Sequence, residues 1–172
     1  MTALPPPETP NHLRVHDWTG SGAALFLGCG LLLAVVSPPF VGEHARQFIM
    51  AVFSTVCHQL PDRSPAIDGV QLAVCHRCLG VYAAIAAAPF AFLLLRRWDA
   101  FIQRNARWFI LAGVVIPGID WLGGVVGMWT NTAASRVATG AAFGLTAGYF
   151  LCRALTELFR GRSLRSKVLE SL

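Results

Sequence analysis

Residues 73–97 read AVCHRCLGVYAAIAAAPFAFLLLRR, and this stretch combines the two features that dominate the whole sequence. From Leu79 to Leu95 it carries no charged residue, and Arg96 and Arg97 end it. An apolar run of about 20 residues is long enough for a helix to cross a bilayer. The same stretch begins with a Cys-x-x-Cys motif. A candidate chemical site therefore lies at one end of a candidate membrane span.

The composition of the 172-residue chain points the same way. Its hydrophobic fraction is 55%, its charged fraction 13% and its mean hydropathy +0.54. A soluble domain usually carries about twice that charged share. The net charge of +5 is explained by the bias of arginine toward one membrane side and by attraction to anionic lipid. The lipid bilayer is therefore the expected partner, and nucleic acid is not.

Four apolar runs have spanning length, and they predict an all-α integral membrane protein with four transmembrane helices. The predicted spans are residues 19–36, 73–95, 108–128 and 134–155. Backbone polar groups in hydrocarbon must be satisfied within their own segment, which favours helices. A shorter run, Phe48 to Val56, cannot span and predicts a short interfacial or re-entrant helix before the first cysteine motif.

The domain organisation follows from these runs. Residues 1–18 are expected to form a disordered tail, because they are rich in proline. They lack the Lys/Arg cluster that begins a secretory leader, so a leader is not predicted. Residues 19–155 form the expected transmembrane domain. Residues 156–172 form an expected basic cytoplasmic tail.

Arginine and lysine predict the orientation of the spans. They are in excess in the segment between the second and third spans and in the C-terminal tail, whereas acidic residues offset them in the segment between the first and second spans. Such an excess marks cytoplasmic segments. With an even number of spans, both termini are predicted to lie in the cytoplasm of a bacterial inner membrane, and the cysteine-bearing loop faces outward.

Three of the five cysteines and two of the five histidines lie within residues 57–78. Zinc prefers four cysteine and histidine ligands in a tetrahedron, and soft thiolates also suit copper(I) or iron–sulfur clusters. The sequence therefore predicts a site for zinc or another thiophilic transition metal. Its predicted ligands are Cys57, His58, Cys75 and Cys78.

Two other interpretations of the same cysteines stay open. In a membrane thiol–disulfide oxidoreductase, Cys75 and Cys78 would be the redox pair and Cys57 a resolving thiol, in the oxidising compartment that an outward loop meets. In a non-catalytic scaffold or accessory subunit, the cysteines would only pack. No nucleotide-binding loop, dinucleotide fingerprint or hydrolase triad pattern is found. An ATP-driven or hydrolytic role is therefore not predicted, and no catalytic residue is assigned from the pattern alone.

Polar residues of the Cys-bearing segment and of the later spans predict a second cluster near the outer face. Its expected members are Arg63, Arg77, Asp120, Asn131 and Arg136. A bare carboxylate in the middle of a span is costly, so Asp120 needs a partner, a cavity or a proton. The cluster is either a proton, ion or substrate site or an Asp–Arg pair that fixes helix packing.

Glycines recur every four residues in the last two predicted spans. They are Gly123 and Gly127 in the third span, and Gly140, Gly144 and Gly148 in the fourth. Small residues at this spacing let helix backbones approach closely. These faces pack the bundle, or they pair copies in a homo-oligomer or other membrane subunits.

The motif Cys-His-Gln-x-x-x-Arg-Ser, followed by Cys-x-Arg-Cys-x-Gly-x-Tyr, resembles the signature of a bacterial family of predicted multi-pass membrane proteins, domain of unknown function 2085. The resemblance continues in Pro117-x-x-Asp120, in Asn131 and in Arg136-x-x-Thr139-Gly140, and so covers roughly residues 56–148. His76 and Leu79 stand where the family pattern has small or hydroxyl residues. The resemblance implies the fold and the site positions, but no reaction.

Overall fold

A computed structural model describes the backbone of residues 13–170 and the side chains of residues 19–159, and this part of the chain is mostly helical. Its helices are α1 (Leu13–Val36), α2 (Glu43–Ser54), α3 (His76–Leu95), α4 (Asp99–Arg104), α5 (Ala106–Val125) and α6 (Ala133–Glu170). The strands β1 (Ala66–Ile67) and β2 (Val70–Gln71) form an antiparallel hairpin between α2 and α3.

Three helices in the described part of the chain are long and apolar enough to cross a membrane. Their apolar segments are Thr19–Val36 in α1, His76–Arg104 across α3 and α4, and Ala106–Val125 in α5. The fourth predicted span lies within α6, where glycine, threonine and arginine dilute the apolar residues. The count of four spans therefore stays a prediction.

Several helix ends differ from the expected ones. The backbone of α1 is already helical at Leu13, inside the expected N-terminal tail, of which residues 1–12 lie outside the described residues. Helix α5 ends at Val125 because Gly127 has a φ of +76° and the Met128 N–H donates back to the Gly123 carbonyl at 2.9 Å, a glycine-terminated helix end. Helix α6 continues to Glu170, through most of the expected basic tail.

The short helix before the cysteine motif begins earlier than expected, at Glu43 instead of Phe48. Glu43 lies in the first turn of α2, where a negative charge is favourable, and it accepts hydrogen bonds from Arg46 at 3.3 Å and Gln47 at 2.9 Å. These local contacts explain why the polar residues before the apolar run are helical.

Helices α3 and α6 form the closest helix pair of the bundle. An ideal Cβ at Gly140 would lie 2.0 Å from the Arg77 carbonyl oxygen, and one at Gly80 would lie 2.2 Å from the Val137 carbonyl oxygen. Only glycine allows such an approach, so this pair explains the small residues in the fourth predicted span. In the third predicted span, the neighbour of Gly123 is the Trp129 ring and not the backbone of another helix.

A polar contact closes the end of the bundle farther from the cysteines. The Tyr149 hydroxyl donates to Asp99 Oδ1 at 2.8 Å, and Arg153 forms an ion pair with the same carboxylate. Tyr149 and Cys152 are buried in the core cluster beneath this contact, with Phe92 of α3. The start of α4 is thereby fastened to α6.

Candidate metal site

The loop between α2 and α3 folds back so that its two cysteine motifs meet. Asp68 and Gly69 join the two strands with φ values of +50° and +78°, the backbone of a tight hairpin turn. The Ala73 N–H then donates to the Val35 carbonyl at 3.1 Å, which ties the returning chain to the end of α1. The hairpin thus delivers the second motif beside the first.

Gln59 holds this loop together. Its backbone has a φ of +50°, which is uncommon for a residue other than glycine. Its side-chain amide donates to the carbonyls of Met50 at 2.9 Å and Ala73 at 2.8 Å, and its own carbonyl accepts from Gln71 at 2.8 Å. Sequence reasoning gave Gln59 no role, although its place directly after Cys-His was a signal.

The structure brings three of the four predicted ligands together. The Sγ atoms of Cys57, Cys75 and Cys78 all lie within 4.8 Å of one another. Cys57 is buried, and the other two are half-buried. A zinc–sulfur bond of about 2.3 Å places the sulfurs of a tetrahedral site about 3.8 Å apart. A small closure of this group would therefore meet the geometry of a bound ion.

Hydrogen bonds join the sulfurs of this group and favour the thiolate form of Cys75. The Cys75 N–H donates to Cys57 Sγ at 3.2 Å. Cys75 itself precedes α3, outside the membrane-spanning helix, and its pKa lies well below the ordinary thiol value, chiefly because the Cys78 thiol donates a hydrogen bond to it; burial opposes this shift. The thiolate is both the metal-binding and the nucleophilic form of cysteine.

The two histidines of the motifs lie outside the sulfur group. His58 is exposed, whereas the neighbouring Cys57 is buried. The expected fourth ligand is therefore not assembled with the other three. His76 has its Nδ1 atom 2.7 Å from the Arg63 carbonyl oxygen, which ties the loop to the start of α3.

Asp120 is the centre of a polar network beside the sulfurs. It forms an ion pair with Arg77, the residue between the paired cysteines. Its Oδ2 atom also accepts from Asn131 at 3.2 Å and from the Thr139 hydroxyl at 3.3 Å. The network joins α3, α5 and α6, and it lies five residues before the end of α5 instead of near the middle of a span. Sequence reasoning left Thr139 without a role.

A cavity of about 910 Å³ opens beside the three sulfurs, which line it with His58. Its wall also contains the other predicted polar residues except Asp120, namely Arg63, Arg77, Asn131 and Arg136, and two tryptophans, Trp121 and Trp129. The predicted polar cluster is thus divided. Arg77 and Asn131 both contact Asp120. Arg63 and Arg136 lie in the cavity wall, and their side chains do not contact Asp120.

The charged side chains of the cavity wall are all positive. None of the described residues that line it has a carboxylate. Arg77 is paired with Asp120, and Arg63 is paired with the exposed Asp62 at 3.5 Å. Arg136 is half-buried, and among the residues with described side chains its guanidinium has no hydrogen-bond or ion-pair partner. The wall therefore has an unpaired positive charge.

Comparison with known proteins places the site inside a shared region. The family model described as "Predicted membrane protein (DUF2085)" matches residues 57–150. The chain is also similar to the uncharacterized protein MJ1492 of Methanocaldococcus jannaschii, with 27% identity over 110 residues, 64% of this chain and 70% of that protein. No solved structure matches the chain. The matched region begins at Cys57 and includes every residue of the sulfur group.

Proposed function

This chain belongs to the DUF2085 family of predicted membrane proteins, and we propose that it is a multi-pass membrane protein that binds a thiophilic transition metal through Cys57, Cys75 and Cys78. The proximity of the three sulfurs carries the proposal. They come from two segments 18 residues apart, and the loop between them is held in shape by Gln59. Packing alone would not require all three sulfur atoms to converge.

The surroundings of the sulfurs favour a metal with one exchangeable position. Structural zinc sites are closed by four protein ligands, whereas catalytic sites keep a position open for water or substrate. Here three cysteine sulfurs converge, and the space beside them is the cavity. Zinc is the metal that we propose first, because three thiolates and one oxygen suit it, and copper(I) and iron are alternatives of the same thiophilic class.

Metal analysis tests this proposal. We expect the purified protein to hold about one metal ion per chain. Cys57→Ser, Cys75→Ser and Cys78→Ser should each lose most of it, because a three-thiolate site has no spare ligand. Cys29→Ala is the matched control, since Cys29 lies in α1 and outside the group. Equal metal content in Cys29→Ala and Cys78→Ser would contradict the proposal.

His58→Ala tests whether His58 is a metal ligand, as the sequence predicts, or not, as its position in the structure indicates. Because His58 is exposed and outside the sulfur group, this variant should keep its metal. Loss of the metal in His58→Ala would restore His58 as the fourth ligand.

We propose four membrane spans, the fourth within α6, with both termini in the cytoplasm and the cavity at the outer face of a bacterial cytoplasmic membrane. The distribution of arginine supports this orientation. An epitope inserted after Gly69, in the exposed hairpin turn, should then bind antibody on spheroplasts without permeabilisation, whereas one at either terminus should require permeabilisation. The reverse labelling pattern would refute the orientation, and opposite sides for the two termini would refute an even number of spans.

Thiol–disulfide exchange is a second candidate, and the lowered pKa of Cys75 favours it. The Cys75 thiolate would attack the disulfide of a partner protein, and Cys78 would then displace the partner's thiol. Two electrons and two protons would pass from this chain to the partner. A metal-free protein with a reducible Cys75–Cys78 bond would support this candidate. Absence of both metal and disulfide would leave the cysteines with a packing role in a scaffold or accessory subunit.

A further inference from the structure

The unpaired positive charge of the cavity has no role in holding the three sulfurs. Arg136 lies near the start of α6, and its backbone N–H donates to the Thr132 carbonyl, so its guanidinium is carried on the first turn of the helix. Thr130 and Asn131, which precede that turn, also line the cavity. The positive end of the helix dipole therefore adds to the charge of Arg136 on this wall.

The part of the wall around Arg136, Thr130 and Asn131 has unpaired positive charge and no carboxylate, and such a surface attracts anions. Arginine presents its N–H groups in a planar fork that matches the oxygens of phosphate or carboxylate. This part of the wall therefore has the chemistry of an oxyanion site. Arg63 and His58 add donors to the same cavity, and the apolar rings of Trp121 and Trp129 limit its sides.

We propose that this cavity binds a phosphate group through Arg136, and that in the metal-loaded protein one phosphate oxygen takes the fourth coordination position. The second clause rests on the proposed metal site. Phosphate suits the arrangement better than carboxylate because it has more than two oxygens. Two can accept hydrogen bonds from the guanidinium while a third faces the metal. The step is a ligand exchange in which phosphate displaces water, and no electron is transferred.

The phosphate can belong to a free solute or to a lipid headgroup, and one experiment distinguishes these sources. The protein is loaded with cobalt(II), whose visible absorption reports its fourth ligand, in micelles of dodecyl maltoside, which contain no phosphate. Inorganic phosphate is then titrated into wild type, Arg136→Gln and Arg107→Gln. Arg107 is the matched control, because it is exposed, lies over Trp108 and does not line the cavity.

We expect phosphate to change the cobalt spectrum of wild type and Arg107→Gln at the same concentration, and Arg136→Gln to bind about tenfold or more weakly, as expected for loss of a charged hydrogen bond. In micelles with added phosphatidic acid, whose phosphate monoester has three free oxygens, a lipid source would give the phosphate-bound spectrum before any phosphate is added, in wild type but not in Arg136→Gln. An unchanged spectrum in those micelles would indicate a free phosphate.

Failure of this inference is distinguishable from failure of the metal site. If cobalt binds but phosphate changes neither the spectrum nor the heat measured by calorimetry, the inference is overturned and the metal site stands. If cobalt does not bind, the metal site fails, and calorimetry of metal-free protein then tests the phosphate site alone. Binding that Arg136→Gln weakens would support it, and no binding, or equal binding by both proteins, would overturn it.

Discussion

Gly140→Ala is expected to destabilise the protein by about 1–3 kcal/mol, the usual cost of overfilling a packed interface. The added methyl group would lie 2.0 Å from the Arg77 carbonyl oxygen. This neighbour is backbone, so relief requires α3 and α6 to separate. Alanine favours a helix by about 1 kcal/mol relative to glycine. A net loss of stability would therefore mean that the clash outweighs this gain. The unfolding midpoint in a titration of mixed micelles with sodium dodecyl sulfate measures the effect.

Gly118→Ala is the matched control for this change. Gly118 lies inside α5, and a Cβ there would meet nothing within 4 Å. This variant should be neutral or slightly more stable. Since Arg77 and Cys78 are neighbours on α3, Gly140→Ala should also lower metal occupancy, whereas Gly118→Ala should not. Equal unfolding midpoints for the two variants would contradict the close packing of α3 on α6.

The apolar runs could be located from the sequence because a bilayer imposes a one-dimensional constraint. A span must be apolar over its whole length, and α3 and α5 meet this condition. Helix α6, the proposed fourth span, is less apolar than α3 and α5. Its glycines pack on α3, so it needs fewer apolar residues than a helix surrounded by lipid, and its hydropathy falls accordingly. Hydropathy alone therefore describes the lipid-facing helices better than the central one.

The sulfur group was predictable in part for a different reason. Two cysteines three residues apart must be neighbours, and the turn at Asp68 and Gly69 let the chain return to Cys57. Which way each side chain points depends on the backbone between them. Cys57 is buried, His58 is exposed and Gln59 has a positive φ, and none of these three features leaves a pattern in the composition.

Long-range pairs were the least predictable part of the site. Arg77 and Asp120 are 43 residues apart, and their contact depends on how α3 and α5 both pack on α6. The need of Asp120 for a partner followed from its place in an apolar run. The identity of that partner did not, because Arg63, Arg77 and Arg136 all qualified by their positions. Only the fold shows that Arg77 is the arginine that pairs with Asp120.

Asp120→Leu is expected to destabilise the protein by about 3–5 kcal/mol, because it leaves the charge of Arg77 without a partner in a largely buried site. The side chains of Asp120 and Arg77 are only 12% and 22% exposed. Asn131 and Thr139 would also lose the carboxylate oxygen to which they donate. Most of this loss comes from the unpaired charge that is left on Arg77. The double variant Arg77→Met/Asp120→Leu removes that charge and should therefore recover much of the stability.

A double-mutant cycle on the same unfolding titration measures this coupling. The exposed pair of Arg63 and Asp62 is the control, since its side chains are 53% and 72% exposed and such pairs contribute about 0–1 kcal/mol. Asp62→Leu should therefore change the midpoint little. If Asp120→Leu costs no more than Asp62→Leu, or if the double variant loses the sum of its two single losses, the ion pair does not hold α3 to α5. The start of α3 and the two cysteines would then be held by α6 and by the buried cluster that includes Val35 of α1 and Phe53 of α2.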